Sequence, residues 1–496
     1  MEQERSEPGK VIVEHFKEYF TQTSIHGLHF IVEDERHWTE RIFWVICCIL
    51  SWFATIKLVL SSIEAYQHNA VTYVVETNYL NWNTTFPAVS VCELENQESI
   101  ADYSSKIYGE DRDYNIDEVL EEIAFFKGSG YFINEFCFNP GSECPTKNYK
   151  EISEGIRSPC EKLLNECFWN SNKPFNCCQY FETKETELGT CYILSMSSVQ
   201  RHKGSDINLY SNRFHGKASI LIKTTALIQV YVHAEHDIPF YNSITSETLK
   251  SIPNIHTKHT MSVRDIENEP ELRLVEINQR NCRFPEENYL RVSDKYSYSA
   301  CLVDCRMQNQ LKKCNCTSHL MPKADKSLHC NFEGLNCLSK MYNDFVVLKP
   351  KWEDKPGLSC DCLPSCEDIE MEIVSQESFS RDDDDDTSTI ELVIDHLPSE
   401  KFKRNVVRKR QDLIVYFGGA IGLFVGASII SLGEIMYYFS FGVFHKYLVD
   451  LNRKSRDAKL NETKKIFVRP FHRPTRFSRH WLTNKNSSLF NHNVYS

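Results

Sequence analysis

Both ends of this 496-residue chain lack cysteine. Of its 20 cysteines, Cys47 and Cys48 lie in an apolar run, and the other 18 fall between Cys92 and Cys366. Extracellular thiols pair and cytosolic ones stay reduced. An even number confined to the middle therefore marks an oxidised, extracellular segment between two cytoplasmic ends. Long apolar runs are also scarce. Only Ile42–Ile63 and Leu413–Gly433 are long enough to cross a bilayer, and the low mean hydropathy excludes a protein of many spans. No cleavable leader is expected: the first 41 residues carry five Lys and Arg against nine Asp and Glu, and the first apolar run begins too late. No repeat of fixed period is present, which excludes solenoids and propellers. Nucleophile motifs, metal-binding histidine clusters and phosphate loops are absent, so no enzyme activity, cofactor, metal or nucleic-acid partner is expected.

What is present sets a topology. Ile42–Ile63 has Lys57 as its single charge, near one end, where a long side chain can snorkel to the headgroups. Arg36 and Arg41 flank its N-terminal side, and no Lys or Arg occurs between Lys57 and Lys106. The positive-inside rule puts the N-terminus in the cytoplasm. A second crossing returns the C-terminus to the same side, and His445–Ser496 carries twelve Lys and Arg against three acidic residues. The expected organisation is a cytoplasmic N-terminus (1–41), a first transmembrane helix (42–63), an extracellular domain (64–412), a second transmembrane helix (413–434) and a basic cytoplasmic tail (435–496). This describes a multi-pass protein of the plasma membrane. The extracellular part has 349 residues and a net charge of −17, which suits cation attraction as well as plain solubility. One local feature conflicts with this topology. Lys401, Lys403, Arg404, Arg408, Lys409 and Arg410 crowd the outer side of the second crossing.

The second apolar run, LIVYFGGAIGLFVGASIISLG, is uncharged and bounded by Asp412 and Glu434. Gly418, Gly422 and Gly426 recur every four residues and share one face of a helix, with Gly419 beside them. Ser428 and Ser431 add hydroxyls that lipid alone does not require. Small residues let membrane helices approach closely, and hydroxyls there face protein or water. The composition therefore predicts a helix shared between subunits that lines an ion pathway.

The extracellular segment reads as strands, a helical lobe and a cysteine-rich thread. Val71–Val75 alternates roughly as a half-buried strand, and Phe86–Cys92 reads as a second strand pinned by a cysteine. Asp117–Phe126 and Ile152–Glu166 look helical, in a peripheral lobe stapled by disulfides. Ala218–Val232 reads as two strands, and His256–Glu276 continues as strands. Tyr296 begins a helix that runs to about Lys312. Cys301 and Cys305 share one face of it, about 6 Å apart. Cys360 and Cys362 would share a strand face at about 7 Å, so two parallel disulfides could staple helix to strand. Zinc ribbons also use short cysteine spacings, but the extracellular side and the even total favour disulfides. Asp382–Asp386 reads as a solvated loop, and Thr389–Asp395 as a strand descending to the membrane. Asn83 and Asn315 begin glycosylation sequons.

Together these residues resemble the degenerin/epithelial sodium channel family of amiloride-sensitive sodium channels. The resemblance rests on His26-Gly27, on Phe86–Cys92, on the Tyr296–Cys316 helix, on Cys360–Cys366 and on Gly422–Ser428. Cys177-Cys178 with Thr186-Glu187 and Gly189–Tyr192 resembles the insect pickpocket branch. The resemblance implies an α+β membrane protein with two transmembrane helices. Its large disulfide-rich extracellular domain would have a β palm, a helical finger (about 95–190) and a thumb (about 282–366). It implies a trimeric, sodium-selective, amiloride-sensitive, non-voltage-gated cation channel, homo- or heteromeric with related subunits, sensory in an insect. Gly426, Ala427 and Ser428 match the family's selectivity filter. His26 and Gly27 match its gating motif, and Val415 its degenerin position. Glu434 either draws cations or marks the membrane boundary. The implied disulfides are Cys92–Cys191, Cys167–Cys177, Cys282–Cys366, Cys301–Cys362, Cys305–Cys360, Cys314–Cys337 and Cys316–Cys330. Cys137, Cys144, Cys160 and Cys178 stay unassigned. Tyr416 stands where acid-sensing relatives carry an acidic residue, which argues against proton gating.

Three other readings compete. A trimeric nucleotide-gated channel would share the topology but would show a Lys-rich nucleotide site and have no need of His26-Gly27. A non-conducting or regulatory subunit, or a receptor glycoprotein, would have no need of the glycine face or the serines. An ectoenzyme lacks its motifs.

Overall fold

The computed structural model describes residues 16–77, 82–138, 141, 143–170, 172–202, 207–243, 248–380, 387–394, 396, 400–442, 444–445, 448–449, 452 and 455–456. The run Asp382–Asp386 and most of the basic tail lie outside them, as does Asp395 at the end of one expected strand. The chain forms two compact units. One is Ser61–Leu413; the other joins Met1–Leu60 to Ile414–Ser496.

The larger unit is built on strands β1 (Val71–Glu76), β2 (Thr84–Thr85), β3 (Ala88–Glu93), β4 (Glu166–Trp169), β5 (Lys173–Phe175), β6 (Glu182–Thr186), β7 (Gly189–Leu194), β8 (Tyr210–Ser211), β9 (Ala218–Thr224), β10 (Ile228–His233), β11 (Thr248–Lys250), β12 (Ile255–Asn268), β13 (Ile369–Ser380), β14 (Ser388–Ile394) and β15 (Lys401–Val406). One sheet runs β1-β15-β12-β14-β9-β4-β5, with β13 added to β12. Its pairs are antiparallel except β12 with β14 and with β15. A second, antiparallel sheet runs β11-β10-β3-β7-β6. β12 follows the two-residue period of the pleat, whereas β3 is buried on both faces. On β12, Thr257, His259, Met261 and Val263 are buried, and Lys258, Thr260, Ser262 and Arg264 between them are only partly covered. The inner faces share one core: Val89 and Val91 of β3, Val230 and Val232 of β10, Ile220 and Ile222 of β9, Ile390 and Leu392 of β14.

A helical lobe follows β3. Tyr114–Ala124 buries Ile116, Val119, Leu120 and Ile123, the i, i+3, i+4, i+7 stripe of an amphipathic helix, and Asp113 caps its start by accepting from Asn115 N. The lobe is not peripheral. Its residues share a core with Leu320, Leu335, Leu338 and Phe345 of the cysteine-rich segment. The expected helix Ile152–Glu166 is interrupted. Tyr149–Ile156 ends before Pro159, a short turn Cys160–Leu163 follows, and Glu166 already begins β4. The residue before a proline is pushed out of helical geometry, which accounts for the stop. The run His256–Glu276 likewise leaves the sheet at Asn268, and Pro270 opens a 3-10 turn to Leu274.

The helix Tyr298–Cys314 is capped by Ser297 and carries Cys301 and Cys305. Disulfides join Cys301 to Cys362 and Cys305 to Cys360, with Cα separations of 5.8 and 6.1 Å. Cys360 and Cys362 lie outside any strand or helix, so the staple joins helix to loop rather than helix to strand. The structure also joins Cys92–Cys191, Cys167–Cys177, Cys282–Cys366, Cys314–Cys337 and Cys316–Cys330. The four cysteines that the sequence left open pair as Cys137–Cys144 and Cys160–Cys178. Cys47 and Cys48 are free thiols.

A buried ion pair fixes the same helix. The guanidinium of Arg306 bonds both carboxylate oxygens of Glu187 and Asn242 Oδ1, and its Nε donates to Phe345 O at 2.8 Å. Both charged side chains are essentially fully buried.

Candidate functional site

The smaller unit holds most of both apolar runs. Trp38–His68 is one helix of 31 residues, about 46 Å long and ample for a bilayer core. It is the one continuous helix among the described residues that is long and apolar enough to cross a membrane. The second run is not the unbroken helix that its composition predicts. It forms Arg410–Phe424, a break, and Ile429–Met436 continuing to Gly442, with a bend of 73° between the two halves.

The break is written in the residues. Gly426 N still donates to Gly422 O at 3.1 Å, closing the last turn. Gly426 then takes φ = +69°, a left-handed conformation that glycine adopts without a side-chain penalty, as at many helix ends. Two residues later Ser428 restarts the helix. Its Oγ accepts from Ser431 N, and Ser431 Oγ accepts from Ser428 N at 3.0 Å, a reciprocal cap. Gly418 and Gly422 do share a face, but Gly426 has left the helix and does not extend it. A Cβ at Gly418 or Gly419 would meet nothing within 4 Å, and Val415 and Tyr416 are exposed in the single chain.

The segment before the first helix folds against this break. His26 N donates to Val425 O at 2.9 Å. The imidazole of His26 lies where a Gly426 Cβ would be, with ring carbons 2.4–2.5 Å from that position. Gly27 is also left-handed, at φ = +83°, and a Cβ there would meet Cys48 Sγ at 2.6 Å. The pair is thus a wedge, with His26 on the break and Gly27 against the first long helix. Ser24 completes it. Its Oγ lies 2.7 Å from Ser431 Oγ and 3.0 Å from Glu434 Oε2, and its N–H donates to the same carboxylate oxygen. Ser431 and Val425 are buried. Tyr19 stacks edge-on with Tyr438 and Phe439, which holds the N-terminal segment in place.

Sequence reasoning named His26, Gly27, Gly422, Gly426, Ala427, Ser428 and Glu434, and the structure brings them into one cluster with Ser24, Val425 and Cys48, which it did not name. Val415, Gly418 and Gly419 stand apart on Arg410–Phe424. A glycine followed by Ser-x-x-Ser is a stop and a start for helices, and that signal was readable. The arrival of Ser24–Gly27 had no local signal.

Elsewhere, Asn83 and Asn315 are both exposed. Asn315 is the left-handed residue that ends the long cysteine-bearing helix. Four of the six basic residues beyond β14 pair with carboxylates of their own unit. Lys401 pairs with Glu267, Lys403 with Glu76, Lys409 with Glu271 and Arg410 with Glu276.

Residues 19–438 match the sequence profile of the family described as amiloride-sensitive sodium channel. Pickpocket protein 11 of Drosophila melanogaster is 23% identical over 85% of this chain and 75% of its own length. The sodium channel protein Nach of Drosophila virilis is 21% identical over 74% of this chain and 97% of its own. The human bile acid-sensitive ion channel is 21% identical over 85% of each chain. The match runs from ahead of the wedge at His26 to beyond the broken helix, and the chain belongs to the amiloride-sensitive sodium channel family, a family of ion channels and not of enzymes.

Proposed function

We propose that this chain is a subunit of a sodium-selective, amiloride-sensitive, non-voltage-gated channel of the plasma membrane, acting in an insect sensory cell. The observation that carries the reading is the break at Gly426–Ser428, closed on one side by the imidazole of His26. A helix interrupted by a left-handed glycine frees carbonyl oxygens from helical bonding. Turned toward a shared axis, they can replace part of the hydration shell of Na⁺. Three subunits, alike or related, would each supply Trp38–His68 and the broken segment as two crossings, leaving both termini cytoplasmic. Gly426, Ala427 and Ser428 form the filter. His26, Gly27 and Val415 govern opening, and Gly418, Gly419 and Gly422 pack the helices around the pore. Glu434, held by Ser24, places a carboxylate beside the pathway. Asn83 and Asn315 carry glycans. Likeness to the Drosophila Pickpocket and Nach proteins supports the sodium and insect assignments.

Whole-cell recording after expression alone and with related subunits tests the reading, with Na⁺ replaced and amiloride added. A surface-expressed chain that carries no Na⁺ current in any combination, even with Val415 replaced by a bulkier residue, would sink it. Ser428→Ala removes the cap of Ile429–Met436, worth about 1 kcal/mol, and should shift the Na⁺/K⁺ reversal potential at unchanged surface abundance. An unmoved reversal potential removes Ser428 from the filter.

A further inference from the structure

Arg404 is the one buried residue of the basic run, 6% exposed, while its neighbours pair with carboxylates at the surface. Among the described residues no carboxylate lies within ion-pair distance of it; the charge of Asp368 acts on it only through space. A buried cation with no carboxylate bonded to it is costly unless its donors find acceptors. Here the acceptors are neutral, and they belong to different parts of the unit. Nε donates to Tyr73 Oη at 2.9 Å on β1. Nη1 donates to Cys366 O at 2.8 Å, and lies 3.5 Å from both Asn268 Oδ1 and Cys282 Sγ. The guanidinium also lies 5.2 Å from the Tyr73 ring centroid. In the sheet, Arg404 stands opposite Tyr73 on one side and Asn268 on the other.

The position is what gives these contacts meaning. β1 follows directly on the helix Trp38–His68, and β15 leads directly into the helix that begins at Arg410. The disulfide Cys282–Cys366 closes the base of the cysteine-rich segment. One side chain therefore ties both strands that continue into the membrane segments to the base of the disulfide-bonded lobe. We propose that Arg404 is a positioning residue for gating, through which displacement of that lobe reaches the two strands. The inference rests on the channel reading. A planar fork with several fixed donors spans Tyr73 and Cys366 together, whereas a lysine ammonium on a flexible stem reaches one and loses the other. A buried guanidinium cannot be left without acceptors cheaply, so when the carbonyl of Cys366 moves, β15 moves with it.

Single-channel recording of the full-length chain, with related subunits where it needs them, tests the proposal on Arg404→Lys, Arg404→Met and Tyr73→Phe. Each should lower the frequency of opening about tenfold, the equivalent of one charge-assisted hydrogen bond made in one state only. Unitary current and the Na⁺/K⁺ reversal potential should not move, which separates coupling from damage to the pore. Arg404→Met combined with Tyr73→Phe should do no more than either alone. Should Arg404→Met fail to reach the surface, Tyr73→Phe, which removes a single hydroxyl, carries the test. Wild-type opening in surface-expressed Arg404→Lys and Tyr73→Phe overturns the proposal alone. Absence of Na⁺ current from the wild type and every variant at the surface overturns the channel reading, and the proposal with it.

Discussion

Replacing Gly426 with alanine sets two costs against each other, and the structure separates them. The first is conformational. At φ = +69° an L-residue sits in the left-handed region, at a cost of about 1–2 kcal/mol. The second is steric. The new methyl would lie 2.4 Å from His26 Cγ, where ordinary carbon contacts are about 3.5–4.0 Å. The imidazole would have to retreat by about 1 Å, breaking its seat on the break and straining the 2.9 Å bond from His26 N to Val425 O. A double-mutant cycle reads the two apart. In the wild-type background Gly426→Ala incurs both. In a His26→Ala background it incurs only the backbone cost, equivalent to roughly a 5–30-fold shift in a two-state ratio. Whole-cell current per surface subunit and the bi-ionic reversal potential, each normalised to biotinylated protein, are the readouts. The loss should be clearly larger with His26 present. Equal losses in both backgrounds would refute the placement of His26 on Gly426, and no loss in either would refute the left-handed turn.

Two further outcomes follow from the larger unit. Arg306→Met or Glu187→Gln leaves one buried charge without its partner and should cost about 3–5 kcal/mol, while the double variant should cost less than either; thermal unfolding of purified full-length protein in detergent, with disulfides intact, decides it. Burial, reinforced by the neighbouring charge of Asp237, pushes the Asp368 carboxyl up to about 6. The folded protein then holds that proton more tightly than the unfolded chain does, so this group's contribution is fully present at low pH and is lost as pH rises through about 6. Asp368→Asn should therefore raise the melting temperature relative to wild type at pH 8 and lose that advantage toward pH 4; an advantage independent of pH would contradict the assignment.

The strands of the core were legible because a two-residue burial period leaves its mark on sequence. Ala218–Val232 alternates or runs apolar where β9 and β10 lie. The matched spacings of Cys301 with Cys305 and Cys360 with Cys362 were legible for a similar reason, since side-chain direction on a helix is periodic. The spacing does not say what backbone carries Cys360 and Cys362, so the absence of a strand there was not legible. Cys137, Cys144, Cys160 and Cys178 lie around short helices and turns, where no period fixes direction. Gly426 was counted onto the glycine face because taking every fourth residue assumes the helix it is meant to detect. Contacts between distant residues, such as Ser24 with Glu434, Arg306 with Glu187 and Arg404 with Cys366, are products of tertiary packing and leave no local pattern.

The core shared by the helical lobe and the cysteine-rich segment limits how parts of this chain can be exchanged. Ile116, Leu120 and Ile123 close against Leu335, Leu338 and Phe345, although about two hundred residues of chain separate the two sets. A chimera that takes the lobe from a relative and keeps the native cysteine-rich segment would join two halves of one interior that were never fitted to each other. The transferable piece is discontinuous. It comprises both halves of that interior, the disulfides Cys314–Cys337 and Cys316–Cys330 behind them, and the Arg306–Glu187 pair that orients the long helix.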